Sequence, residues 1–336
     1  MLRDHFQFIQ RGGLLLASLL LLTSLFTLTS CSDDDENGGI SETAAFDSYA
    51  AKYEITSAGS PYSSIELTEA GNYIISFEEA ASRINPLILN LKGKDSTSLT
   101  QSLIAAIHHH QTTRATPYSP ILYGRYTVNE DGSYNLAGFG TIAVEEDNNG
   151  HAVELVITRN GQEAESYHAS IQSSDIHSSM SNKLCRTWAM AHYRYLVKLN
   201  GSKVCDFQAG SLKELFKKIL QWGESQGEDI DPEDYEMLEV LNEVEPKTMV
   251  FTKTGTYLVE YTNSQVAVST WRWLDESAGL LIYSWNNNLE NLTGVMNGQT
   301  IVSFKGSQLT LVEKTSESED GYTLETSMTY TLNEAK

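Results

Sequence analysis

Positive charge, cysteine and long apolar runs are scarce in this sequence, and each scarcity narrows what the chain can do. Its 336 residues carry 23 Lys and Arg against 44 Asp and Glu, a formal charge of −21. So acidic a chain repels phosphate backbones, which argues against nucleic acid as a partner. Beyond Leu28 no segment approaches the roughly 20 apolar residues that a membrane-crossing helix needs. The sequence contains no H-E-x-x-H, no G-x-S-x-G, no C-x-x-C and no P-loop. The spacing signatures of zinc peptidases, serine hydrolases, dithiol redox centres and phosphate cradles are therefore missing, and no cofactor or metal is expected. A glycosidase needs only two carboxylates, so a hydrolase stays open as a second alternative. His108-His109-His110 close a helix read over 97–110. Consecutive helical positions point about 100° apart and share no i,i+4 face for an ion, so a cationic helix C-terminus is the better reading.

What is present begins at the N-terminus. Arg3 and Arg11 precede an apolar stretch from Leu14 to Leu28, and the small residues Thr29 and Ser30 lead to Cys31. That is the layout of a secretory signal. Leu28-Thr29-Ser30-Cys31 resembles the lipobox of bacterial lipoproteins. The resemblance implies that residues 1–30 are a signal peptide and that Cys31 is the lipid anchor, acylated with palmitate-type chains. Each buried CH2 contributes about 0.8 kcal/mol, and stable anchoring takes more than one chain, which the several acyl groups of that family supply. Residues 31–44 read as an acidic tether without periodicity. Within it, Ser32-Asp33-Asp34-Asp35-Glu36 resembles the export signal of surface lipoproteins in Bacteroidota-type bacteria. The expectation is an outer-membrane protein held by its lipid and facing the cell exterior. Its partners would be the membrane, through the anchor, and an outer-membrane protein.

The remaining chain alternates short Tyr-, Val-, Ile- and Thr-rich runs with Gly, Asn and Asp turns, the pattern of antiparallel strands. The fold class expected is mainly β with helical insertions, arranged as two antiparallel β domains over 45–175 and 180–336. In the first, strands are read near 51–57, 64–76, 121–128, 133–145, 151–158 and 163–171, with helices over 77–91 and 97–110. In the second, strands are read near 184–199, 203–208, 247–252, 255–262, 266–274, 280–285, 300–304, 308–314 and 321–332. Ser211 with Glu214 three residues later forms a capping box for a helix that Gly223 is expected to close. Asp231-Pro232 starts another helix, which Pro246 stops. The segments 65–75 and 249–259 share Thr, Gly and Tyr at the same spacing, each as strand, tight turn, strand. They suggest that the two halves are distant repeats.

From Trp188 onward the order of elements resembles the lipocalin-like domains of bacterial lipoproteins. The residues that carry the resemblance are Cys185-Arg186-Thr187-Trp188, Phe251-Thr252-Lys253-Thr254-Gly255-Thr256-Tyr257, Ser269-Thr270-Trp271-Arg272-Trp273 and Gln308-Leu309-Thr310-Leu311. It implies a small antiparallel barrel or half-barrel, with room for one small apolar ligand. Independently of it, strand alternation puts Trp271 and Trp273 on one face, opposite Tyr283 and Leu281 if 275–279 is the loop, with Trp285 on the same face. Four rings on one side of one hairpin are core, ligand wall or interface. Cys185 and Cys205 are candidates for a disulfide in an oxidising compartment. With Asn200-Gly201 as the turn, however, Cys205 pairs near Leu196, and the bond requires the first strand to bend or end early. The functional expectation is a binding module for a small apolar ligand or glycan fragment, with Trp271, Trp273, Tyr283 and Trp285 as ligand-binding residues. The alternative is a structural or interaction protein of a cell-surface assembly without a ligand cavity.

Overall fold

Alternating apolar residues give each strand one inward and one outward face, and the chain closes that inward face twice. The computed structural model describes residues 51–77, 121–146, 152–172, 176, 178–227, 235, 238, 241, 245–284, 300–319 and 321–335. Outside the described residues lie the expected signal, tether and Cys31 anchor, the helices over 77–91 and 97–110 with His108–His110, the cap at Asp231-Pro232, and Trp285.

The N-terminal barrel consists of β1 (Ala51–Ile55), β2 (Tyr62–Leu67), β3 (Asn72–Phe77), β4 (Ile121–Val128), β5 (Tyr134–Leu136), β6 (Gly140–Glu146), β7 (Ala152–Arg159) and β8 (Ala164–Gln172). Each strand pairs antiparallel with the next, and β8 returns to β1 to close the barrel. A short helix α1 (Ser179–Leu184) leads into the second unit. That unit holds β9 (Thr187–Leu199), β10 (Ser202–Ala209), helix α2 (Leu212–Ser225), β11 (Pro246–Phe251), β12 (Thr256–Tyr261), β13 (Val266–Asp275), β14 (Leu280–Ser284), β15 (Thr300–Lys305), β16 (Gln308–Glu319) and β17 (Tyr322–Glu334). Strand β9 pairs with β17 along nearly its whole length, which closes this barrel as well. Its other edge is divided: Thr187–Ala189 pair with β11, and Tyr193–Leu199 pair with β10. Strand β10 is thus a flap on an eight-stranded barrel, and α2 packs beside it.

Both barrels share one register. Thr68, Gly71 and Tyr73 of the first hairpin match Thr252, Gly255 and Tyr257 of the second, and the turns make the same bonds. The Thr68 and Thr252 amides donate to Asn72 O and Thr256 O at 2.8 and 3.0 Å, and the Gly71 and Gly255 amides donate back to the threonine carbonyls at 3.1 Å in both. Both glycines take positive φ, +74° and +81°, as this turn requires. The match extends to the neighbouring strand. Tyr126 and Trp271 donate their backbone amides to Gly71 O and Gly255 O, and their side chains to Thr68 O and Thr252 O at 3.0 and 3.1 Å. Following the pairings from strand to strand makes Leu136 equivalent to Tyr283, Ile142 to Thr300, Ile157 to Glu313 and Tyr167 to Tyr330. The correspondence returns to Tyr53 and Trp188 on the closing strands, where it began. The repeat that the hairpin spacing suggested therefore runs through all eight strands.

Three local expectations are corrected. The strand read from residue 184 opens instead as α1, because the Ser178 hydroxyl caps it by accepting from the Ser181 amide at 3.0 Å. Helix α2 starts at the expected cap, with Ser211 Oγ accepting from the Glu214 amide at 3.1 Å, but it runs past Gly223. Gly223 is buried inside it, and Gly227 takes the positive φ beyond its end. The disulfide is not formed: Cys185 and Cys205 are both free and buried. β9 stays extended between them, with Cys205 paired to Val197 near its far end, and the two thiols sit in separate clusters.

Candidate site inside the C-terminal barrel

The expected ligand-binding rings separate into two places. Trp271 is 1% exposed and packs edge-on against Phe251 and Trp273, with centroids 5.7 and 5.6 Å apart. Trp273 is half-buried, and its indole donates to Ser181 Oγ of α1 at 2.7 Å. Trp188 donates to the Leu184 carbonyl at 2.8 Å, so these three tryptophans and α1 plug one end of the barrel. Tyr283 pairs with Trp271 across the β13–β14 hairpin, and Trp273 with Leu281, as the alternation required. Trp285 lies outside the described residues.

Tyr283 belongs to a different environment from the tryptophans. Its hydroxyl donates to Glu313, and Tyr330 donates to the other oxygen of the same carboxylate at 3.4 Å. Glu313 is only 7% exposed, on the inward face of β16 after Leu309 and Leu311. Tyr257 stands beside Tyr283 at 5.4 Å, and Thr300 is paired with Glu313 from β15. Burial, reinforced by the Glu313 charge, pushes the Tyr257 and Tyr283 hydroxyls well above their usual range. They therefore stay protonated and act as donors throughout the physiological pH range.

Above this layer, α2 turns Leu212, Leu215, Phe216 and Leu220 into the same core, joined by Leu238 and Leu241. Glu245 accepts from the Leu212 amide at 2.8 Å, which ties the helix start to the beginning of β11. Burial raises the Glu245 carboxyl, while that amide and the Tyr193 hydroxyl pull it down. The arrangement is a layer of tyrosines, a threonine and a carboxyl group inside a barrel, in a core that an amphipathic helix joins. Chemically it offers one carboxyl group, several hydroxyls and ring faces for stacking.

The N-terminal barrel supplies a control for this layer. At the positions of Tyr283, Thr300 and Glu313 it has Leu136, Ile142 and Ile157, all buried. The same register thus closes around an apolar interior, so closure itself does not call for a buried carboxylate. Removing an ionised group from water is costly unless hydrogen bonds compensate, and here two tyrosines do. Sequence reasoning reached Tyr283 through the aromatic hairpin but missed Thr300, Glu313 and Tyr330. The run Leu309-Thr310-Leu311-Val312-Glu313 carried a signal, since a glutamate stands where alternation calls for an inward residue.

No family model matches the chain, and no curated protein matches its sequence.

Proposed function

We propose that the protein is a surface lipoprotein, anchored through acylated Cys31 to the outer membrane, whose C-terminal barrel binds one small hydroxyl-bearing ligand. The observation that carries the binding reading is the exchange of Leu136, Ile142 and Ile157 for Tyr283, Thr300 and Glu313 in an otherwise matching barrel. A polar layer fits a glycan fragment better than a purely apolar ligand. Carboxylate and phenol groups exchange hydrogen bonds with sugar hydroxyls, and the rings stack on the sugar's C–H faces. Trp271 and Trp273 serve this reading as the floor of the site rather than as its contacts. The N-terminal barrel is the rigid neighbour that holds the binding barrel away from the membrane.

Two experiments test the two halves of the proposal. Protein isolated from membranes without denaturation should carry a bound small molecule in native mass spectra, and Glu313→Gln should lose it. The binding half fails if wild-type protein carries none and an oligosaccharide panel up to about 1 mM leaves tryptophan fluorescence unchanged, a bound near −4 kcal/mol. Metabolic labelling with an alkyne fatty acid should mark the wild type and spare Cys31→Ser; equal labelling of both removes the anchor.

The alternative, an interaction protein without a ligand, draws on the direct ring-to-ring contacts that fill the plugged end of the barrel. It is the reading left standing if both binding assays are negative.

A further inference from the structure

The two barrels meet through the same patch on each. Ile74, Ile121 and Tyr123 of the N-terminal barrel pack with Leu258, Val266 and Val268 of the C-terminal one in a single cluster, which Val250 completes. In the shared register Ile74 corresponds to Leu258, Ile121 to Val266 and Tyr123 to Val268. Contact between equivalent positions is the mark of a two-fold, isologous interface, in which each copy offers one self-complementary surface. Here the two copies lie on one chain.

The matching turns at the edge of this interface break the symmetry. They read Thr68-Glu69-Ala70-Gly71 and Thr252-Lys253-Thr254-Gly255, so Glu69 and Lys253 are equivalent residues of opposite charge. Both are buried, at 1% and 3% exposure. Burial, with Glu66 adding to it, raises the Glu69 carboxyl, while its Oε1 accepts from the Lys253 backbone amide at 3.2 Å and the Lys253 ammonium pulls the other way. Glu66, also buried, accepts from the Thr254 hydroxyl, and Asn72 Oδ1 accepts from Thr187 Oγ1 at 2.9 Å.

The geometry points to a pseudo-homodimer in which the unlike buried groups at the equivalent positions Glu69 and Lys253 select the pairing of unlike barrels, N-terminal with C-terminal, over the pairing of like barrels between two copies of the chain. An N-to-N contact would place two Glu69 carboxylates and two Glu66 carboxylates together in a buried seam. A C-to-C contact would bury two Lys253 ammonium groups. Ionisable groups of one sign brought together away from water must repel or give up their charge, and either cost opposes association, so the apolar patch is left with one favourable partner. The short connection through α1 keeps that partner on the same chain at high effective concentration.

The test is hydrogen exchange on the full mature chain, read at the Lys253 amide and along the 66–75 and 250–259 hairpins, with light scattering for mass. Glu69→Lys and Lys253→Glu should each lower protection there by about tenfold or more, while inward amides of β16 and β17 keep theirs. The charge-swapped double variant should return to within about threefold of wild type and remain monomeric. The inference is overturned if either single change leaves protection unaltered, or if the double is no better than the worse single. For any charged variant that does not fold, Glu69→Gln, Lys253→Met and their double give the same reading: coupling above about threefold supports the inference, and additivity overturns it.

Discussion

Two interiors of one architecture sit side by side in this chain. The N-terminal barrel fills its middle with Leu136, Ile142, Leu155 and Ile157 around Tyr73 and Tyr126. The C-terminal barrel keeps the tyrosine corresponding to Tyr73 and puts Trp271 at the Tyr126 position, then replaces three aliphatic positions by Tyr283, Thr300 and Glu313. The two also differ in what is attached: among the described residues β10 and α2 belong to the second barrel, where the apolar face of α2 joins the core. Strand number, pairing order and turn chemistry are held constant. Inside the barrels the difference lies at these three polar positions. They are not required for closure, and the proposed function assigns them to a ligand that the aliphatic positions would not hold.

That comparison can be broken at its shared parts first. Tyr126→Ala and Trp271→Ala remove equivalent buried rings together with the same hydrogen bond to a turn threonine, and each should cost about 3–5 kcal/mol in urea unfolding. If one is tolerated and the other is not, the two barrels are not built alike.

Next in size is pH. Burial raises the Glu69 carboxyl from 4.5 to about 7. The folded state thus binds its proton more tightly than the unfolded chain does. The resulting stability is fully present below about pH 4.5 and is lost as pH rises through about 7, a change on the order of 3 kcal/mol. Denaturation measured from pH 4 to 8 should show this slope in the wild type, and Glu69→Gln should flatten it. The turn glycines come third: Gly71→Ala and Gly255→Ala should each cost about 1 kcal/mol or somewhat more, because both sit at positive φ. An added Cβ at Gly255 also meets the Trp271 carbonyl at 3.2 Å, which adds to its penalty. The smallest effect belongs to the flap that only one barrel has. Arg194 pairs with Asp206 through two bonds of 2.7 and 2.8 Å between β9 and β10, but it is half exposed. Arg194→Ala should change thermal stability by no more than about 1 kcal/mol.

Much of this architecture was legible in the sequence, and the reasons are local. The Thr-x-x-Gly-x-Tyr spacing fixed both hairpins, since that turn needs a hydroxyl to bond its own backbone and a glycine at positive φ. Alternation placed Trp271 against Tyr283 and Trp273 against Leu281 correctly. Closure of the first barrel was not legible, because only the pairing of β1 with β8 across the whole domain distinguishes a barrel from an open sheet. Nor was the site as a whole. Tyr283, Glu313 and Tyr330 come from three strands and meet only across the interior, so no sequence window contains them. The helix over 179–184 was hidden by the β-rich run that follows it, and a single serine cap decided its start.

The central claim is that the Tyr283–Glu313–Tyr330 layer serves binding and not closure of the barrel, and one unfolding free energy tests it most directly. The triple variant Tyr283→Phe/Glu313→Leu/Tyr330→Phe removes the carboxyl group together with two hydroxyls bonded to it and leaves the rings in place. Its stability in urea should equal the wild-type value or exceed it by about 1–2 kcal/mol, as expected when a buried polar group and its partners are replaced together by apolar ones. A fall of more than about 3 kcal/mol, on the scale of breaking a buried ion pair, would contradict the account and make the layer a structural part of the barrel.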